Sequence, residues 1–202
     1  GILGMSEMLL GTSLDIRQRR YVETVHSSGE SLLLIINDIL DFSKIEAGKL
    51  ELEFVQTDLI QLLEDTIDII KLQADQKNIE FVLSIDTNLP EYVIIDPIRV
   101  KQIVINLLAN AVKFTKVGEV VFSVNFSELT LTTGIVHFSI RDTGIGISTE
   151  HQKKLFTSFS QADTSTTRKY GGTGLGLTIS SMLVKKMNSS IELVSEPDKG
   201  SL

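Results

Sequence analysis

With 202 residues, 42% hydrophobic and 22% charged, the chain is long enough for one or two domains with buried cores. It has no cysteine, which excludes disulfides and thiolate metal sites. Its net charge of -7 argues against nonspecific nucleic-acid binding and leaves small anionic ligands open if a local basic or amide-rich pocket exists. No apolar run is long enough to span a bilayer; the longest candidate, Leu32 to Ile36, is bounded by polar residues. No signal peptide is visible, and the chain opens on Gly1, so we expect a cytoplasmic piece of a longer protein whose membrane anchor, if it has one, lies elsewhere.

The first 50 residues contain no proline, and their apolar residues recur at helical spacing. Ile2, Met5 and Leu9 are in step, and Gly11 to Asp15 reads as a connection ending in an N-cap. Val22, Val25, Gly29, Leu32, Ile36 and Ile39 then alternate steps of three and four, which is a heptad seam. Leu33 and Leu40 widen the stripe, which suits a four-helix bundle. Two helices cannot close such a bundle, so two chains are expected to supply a hairpin each. The rival arrangement packs the hairpin on the chain's own second domain.

Gly48 ends this segment, and Leu50 to Phe54 alternates like a short strand. Residues 58–76 form an amphipathic helix, and 79–86 and 91–96 are strand-like, with Pro90 between them. Asp96 and Pro97 cap and open a long helix running to about Thr115. Residues 119–129 and 135–142 form a strand pair joined by a turn around Thr132 to Gly134, and a short helix covers roughly Ser148 to Leu155. The polar stretch that follows looks like a mobile loop, succeeded by a helix from about Leu175 to Met187 and a last strand over 190–196. The order predicts α+β: a helical hairpin over 1–50, then an α/β sandwich over 51–202 with one mixed sheet and helices on one face.

Three stretches could carry chemistry. On the long helix, Asn106, Asn110 and Lys113 share one face with Arg99 and, less directly, Gln102, opposite Ile103, Val104, Leu107, Leu108 and Val112. Two carboxamides and an ammonium could hold a metal-bound polyphosphate, since Mg²⁺ accepts one or two protein oxygens and completes its shell with water and phosphate; the same face could simply be solvated. Asp142 ends a strand and is followed by Gly144 and Gly146, so a carboxylate could meet the exocyclic amine of adenine above a glycine floor. An ordinary strand-to-helix turn has the same pattern. Gly172, Gly174 and Gly176 alternate as a helix begins, with Arg168 and Lys169 just before. Amides of such a loop can bind phosphate, and the loop could close as a lid; a flexible hinge is the alternative. The spacing is neither a P-loop nor the dinucleotide fingerprint.

Taken in order, NLLANAVKFT, DTGIGI, LFTSFSQAD and GGTGLGL resemble the N, G1, F and G2 boxes of sensor histidine kinases. GILGMSEMLL and SLLLIINDILDFSKIEAGKLELE resemble that family's dimerisation and histidine-phosphotransfer hairpin, so the likeness spans the chain. FSKIEAG and FTSFSQADTSTTRKYGGTGLGL look most like hybrid kinases carrying a receiver domain elsewhere.

The resemblance implies a Bergerat-type ATP-binding sandwich, with ATP and Mg²⁺ as cofactors. It makes Asn106 the metal ligand, Asn110 a holder of the phosphates or ribose side, and Lys113 a phosphate contact. Asp142 would recognise adenine over Gly144 and Gly146, and Phe156 and Phe159 would anchor the lid. Arg168, Lys169, Gly172, Thr173, Gly174, Leu175 and Gly176 would surround the triphosphate. Gly200-Ser201 looks like the start of a further glycine box. The partners implied are a second copy through the hairpin and a receiver domain.

The family's phosphate acceptor lies in a motif like HEIRTPLNGILG, and this chain starts at GILG. His26 precedes Ser-Ser-Gly-Glu, His137 alternates within a strand, and His151 lies at a charged helix start; none suits the acceptor role. The fragment is therefore expected to bind ATP without phosphorylating itself, while the parent transfers the γ-phosphoryl group to histidine for relay to a receiver aspartate. Gln102 stands where some members have an acid; an amide cannot be a general base but could orient the imidazole. ATPases of the same superfold, such as DNA gyrase or heat-shock chaperones, place an acid on this helix, and Gln102 argues against them. A nucleotide-binding or dimerisation module without catalysis is the other alternative.

Overall fold

The computed structural model describes residues 1–152, 155 and 174–202. The chain divides into two compact units, 1–50 and 51–202. The first is a helical hairpin of α1 (Ile2–Leu10) and α2 (Ile16–Glu46). Asp15 starts α2 with a capping box: its carboxylate accepts the Gln18 N–H at 2.7 Å, and the Gln18 Oε1 accepts the Asp15 N–H at 3.1 Å. Such a cap stabilises a helix by about 1 kcal/mol. The helices meet closely at Gly29, where a β-carbon would lie 2.9 Å from the Leu3 Cδ2. Ser6, the one buried residue of α1, gives its proton to the Leu3 carbonyl at 2.8 Å and lies 2.9 Å from the His26 Nδ1. The other ring nitrogen of His26 is 3.4 Å from Glu30. No residue of the 31-residue α2 is buried, and Leu32, Leu33, Ile36, Ile39 and Leu40 are all exposed. At its end Gly48 takes φ +68°, which releases the chain from the helix.

The second unit is an α/β sandwich. Helix α3 (Leu59–Gln76) begins at Asp58, whose carboxylate accepts the Gln61 N–H at 2.9 Å. It buries Leu59, Leu63, Ile67, Ile70 and Ala74, one residue per turn. Helix α4 (Pro97–Phe114) begins at Asp96, as the sequence predicts, with Pro97 in its first turn. One Asp96 oxygen accepts the Arg99 N–H and the other the Glu53 N–H, each at 3.0 Å. The cap thus also fastens the segment entering the unit.

Strands β1 (Val55–Asp58), β2 (Glu80–Ile85), β3 (Tyr92–Ile95), β4 (Glu119–Thr130), β5 (Thr133–Asp142), β6 (Ser195–Glu196) and β7 (Gly200–Ser201) form two sheets rather than the single one expected. β1 and β3 pair alone and antiparallel. The other five run in the order β2-β4-β5-β7-β6, with β2 parallel to β4 and the remaining pairs antiparallel. β2 and β3, separated by Pro90, are therefore not a hairpin. The first strand starts at Val55, not Leu50, because its partner β3 offers only the stretch up to Ile95. The strand expected over 190–196 is confined to Ser195–Glu196, and Gly200–Ser201 is a sheet strand at the register of Asp142. Along β4, Val120, Phe122 and Val124 are fully buried while the residues between them are not. That alternation shows one face covered. Val104, Leu108, Ala111 and Val112 of α4 complete this core with α3, while Leu107 is only half-buried. Two shorter helices follow, α5 (Thr149–Gln152) and α6 (Gly176–Lys186). No described helix is long and apolar enough to cross a membrane.

Candidate nucleotide-binding site

Helix α4 carries the polar face singled out from the sequence, and the loops at its two sides converge on it. The Asn106 Nδ2 donates to the Ser180 Oγ of α6 at 2.8 Å. The Asn106 Oδ1 faces the Asn110 Nδ2 at 3.4 Å. Gly176 lies directly against this carboxamide, and a side chain there would run into the Asn106 Oδ1. The last of the alternating glycines thus lets α6 close on α4 at Asn106. Gly174 takes φ +71°, a left-handed turn before the helix, and Leu175 is buried. Phe156, Phe159, Arg168, Lys169, Gly172 and Thr173 lie outside the described residues.

The other end of the site lies where α4 finishes. The Asp142 carboxylate accepts the Gly144 N–H at 2.8 Å. Burial pushes its pKa up, against hydrogen bonds from Gly144 and from the Ser201 hydroxyl and backbone that favour the charged form. Gly144 abuts the Phe114 carbonyl, where a β-carbon would come within 2.7 Å. Gly146, at φ +62°, faces the Glu196 carbonyl, and Gly200, at φ +90°, faces the Asp142 carbonyl; neither place has room for a side chain. Glycine is required at these contacts because backbone meets backbone. Gln152 extends the clasp by donating to the Ile147 and Ser195 carbonyls, each at 2.7 Å.

Lys113 is half-buried, with its ammonium 5.2 Å from the Phe114 ring centre. Burial lowers its pKa, as does the neighbouring charge of Lys77. Lys77 itself donates to the Val112 and Lys113 carbonyls at 2.8 and 3.1 Å, closing the C-terminus of α4. Arg99 donates to the Gln102 Oε1 at 2.8 Å, so Gln102 is held by a cation on its own helix.

From Asn106 to Phe114 is about 12 Å along α4 at the helical rise of 1.5 Å per residue. A carboxylate at one end and paired carboxamides at the other suit an elongated ligand with a hydrogen-bond donor at its head and anionic groups at its tail. The neutral Asn oxygens are hard ligands that fit a Mg²⁺ ion shared with phosphate. Ser180 and Ser201 were not anticipated. Ser180 follows the glycine motif by one helical turn, and Ser201 reaches Asp142 only through a sheet contact 59 positions away. Nothing local in the sequence marked either residue.

Residues 1–48 match the His Kinase A (phospho-acceptor) domain, and residues 95–202 match the histidine kinase-, DNA gyrase B- and HSP90-like ATPase family. The chain is 42% identical over 201 residues to signal transduction histidine-protein kinase BarA of Escherichia coli, covering all of this chain and 22% of that protein. It is 45% identical over 201 residues to sensor histidine kinase GacS of Pseudomonas protegens, again over all of this chain and 22% of the relative. It therefore spans about a fifth of the length of these relatives. A crystal structure of full-length ShkA in complex with AMPPNP superposes with a TM-score of 0.79 at 33% identity, covering 99% of this chain and 40% of that one.

Proposed function

Since the chain belongs to the sensor histidine kinases, with a phospho-acceptor-type hairpin and an ATPase-type sandwich, we propose that its second unit binds Mg-ATP for a phosphoryl transfer completed within the parent protein. The adenine amine donates to the Asp142 carboxylate, over the floor made by Gly144 and Gly146. The triphosphate runs along α4 past Lys113 towards Asn110, Asn106 and the start of α6, where Gly174 and Gly176 bring the backbone close. The family likeness also assigns Arg168, Lys169, Gly172 and Thr173 to the triphosphate and Phe156 and Phe159 to this site; all six lie outside the described residues.

When bound, Mg²⁺ neutralises the developing charge on the transferring phosphates. Asn106 and Asn110 provide its protein oxygens. The Asn106 Oδ1 receives the Asn110 amide and keeps a second lone pair for a metal ion.

In the parent, an imidazole nitrogen on the hairpin attacks the γ-phosphorus of ATP as the bond to the β-phosphate oxygen breaks. The phosphoryl group then passes to a receiver aspartate. This chemistry needs position and charge neutralisation more than a strong base. Gln102 as an amide can orient the imidazole by a hydrogen bond. His26 is engaged with Ser6 and Glu30 and is no candidate for the acceptor. Two hairpins pair through the exposed stripe of α2 to make the four-helix bundle, and the receiver domain is the second partner.

The observation that carries this reading is Asp142, a partly buried carboxylate held between Gly144 and Ser201 at the end of α4. Isothermal titration with AMPPNP, with and without Mg²⁺, tests it beside an Asp142→Asn variant. Saturable, Mg²⁺-aided binding that the variant loses supports it. Absence of binding by the folded wild type leaves the module a scaffold without nucleotide chemistry.

A further inference from the structure

The Asn106 carboxamide has two ends of nearly equal shape and opposite hydrogen-bonding character. Its amide nitrogen is committed to the Ser180 Oγ at 2.8 Å, and Ser180 is only 2% exposed, so no water competes freely for that contact. The oxygen end must then point the other way, and there it meets the Asn110 amide nitrogen at 3.4 Å. Asn110 in turn spends its nitrogen on Asn106, which leaves its own oxygen as the acceptor end of that carboxamide. Gly176 closes over the Asn106 carboxamide and blocks a sideways escape. The three residues form one directional chain, Asn110 to Asn106 to Ser180, in which the Ser180 oxygen is the terminal acceptor.

The geometry points to Ser180 as a positioning residue for the metal-bound nucleotide. Its hydroxyl oxygen, as acceptor, fixes the orientation of both asparagine carboxamides on α4 so that oxygen rather than amide nitrogen is presented to the ion. Ser180 touches neither nucleotide nor metal; it acts through Asn106. This inference rests on the Mg-ATP reading above and adds the residue that sets the polarity of its metal end. A partner that orients a ligand in this way typically changes metal affinity by about tenfold or more when removed.

The test separates the two metal conditions. AMPPNP is titrated into the wild-type chain, Ser180→Ala and Ser180→Cys, once with Mg²⁺ and once with EDTA, and thermal unfolding is recorded for each. The quantity read is the ratio of the affinities with and without Mg²⁺. Removal of the acceptor is expected to lower that ratio about tenfold and leave the metal-free affinity within about twofold. A merely structural role for Ser180 weakens both affinities together and leaves the ratio unchanged, which overturns the inference. Should Ser180→Ala not fold, Ser180→Cys keeps the volume with a sulfur that accepts weakly. It is expected to show the same loss, and a full Mg²⁺ gain in that variant also overturns the proposal. If the wild type binds no AMPPNP in either condition, the nucleotide reading itself fails, a result distinct from an unchanged ratio.

Discussion

The two units solve the burial problem in opposite ways. The sandwich packs Phe122, Val120, Val124, Ile70 and Leu108 to complete exclusion from solvent, each at 0% exposure. The hairpin has a 31-residue helix with nothing buried and a run of leucines and isoleucines facing outward. A helix this long with an apolar stripe draws its stability from packing that stripe on another surface. The sandwich is a finished folding unit, and the hairpin leaves the apolar stripe of α2 uncovered.

The comparison breaks most visibly in the sandwich core. Phe122→Ala removes a ring stacked on Phe138 with centres 6.3 Å apart and is expected to destabilise the sandwich by about 3–5 kcal/mol. Denaturant unfolding followed by hydrogen exchange in both units checks this; the loss should fall on 51–202. If the hairpin unfolds in step, the two units are one cooperative structure and the contrast fails.

Next in size is the glycine clasp around Asp142. Gly200→Ala places a methyl group against the Asp142 carbonyl at a backbone φ of +90°, where neither strain nor clash can relax cheaply. A loss of about 2–4 kcal/mol is expected, together with weakened AMPPNP binding. Gly176→Ala meets a side chain, Asn106, rather than backbone. It should cost less stability but still reduce the Mg²⁺-dependent part of nucleotide affinity. Equal melting temperatures for the two variants would mean that the clasp is no tighter than the helix contact.

The hairpin half of the comparison is sharpened by Ile36→Glu, on the exposed stripe. In an isolated hairpin this exposed substitution changes little, within about 0.5 kcal/mol. If two copies pair through the stripe, it buries a charge and shifts sedimentation towards monomer, with the melting of 51–202 unchanged. A wild-type chain that sediments as monomer at all accessible concentrations would show that the stripe needs more helix than these residues supply.

Legibility followed the range of the interactions. Asp96 before Pro97, the capping residue Asp15 and the β4–β5 hairpin rest on neighbours in sequence, and each is where local rules place it. The candidate residues Asp142, Asn106 and Asn110 were marked by type and spacing, because backbone turns and helix faces have fixed periods. The small strands were not legible. β1 exists only through β3, 40 positions on at Val55↔Ile95, and β7 is a strand only through its partners Asp142 and β6. Neither has enough residues to express a period. Ser180 was hidden for another reason: a serine inside a helix carries no local signal, and only the approach of α6 to α4 reveals its partner.

The smallest expected effect concerns Asp142 itself, and it tests whether the site is strained for binding. Burial raises the folded-state pKa of this carboxylate above its ordinary 3.8. The native state therefore takes up this proton at a higher pH than the unfolded chain does. Between the raised value and 3.8 the native state holds more protons, so this group's contribution to stability grows as pH falls. Above the raised value the charged carboxylate is a small net cost. Asp142→Asn should accordingly melt slightly above the wild type at neutral pH, with the gap shrinking as the solution is acidified towards 3.8. AMPPNP affinity should move the opposite way if the Asp142 carboxylate accepts the adenine amine, weakening as it is protonated. Both slopes follow from one charge kept partly out of water. If the gap instead widens on acidification, the hydrogen bonds from Gly144 and Ser201 outweigh burial, and Asp142 is a structural anchor of β5 and β7 before it is a binding group.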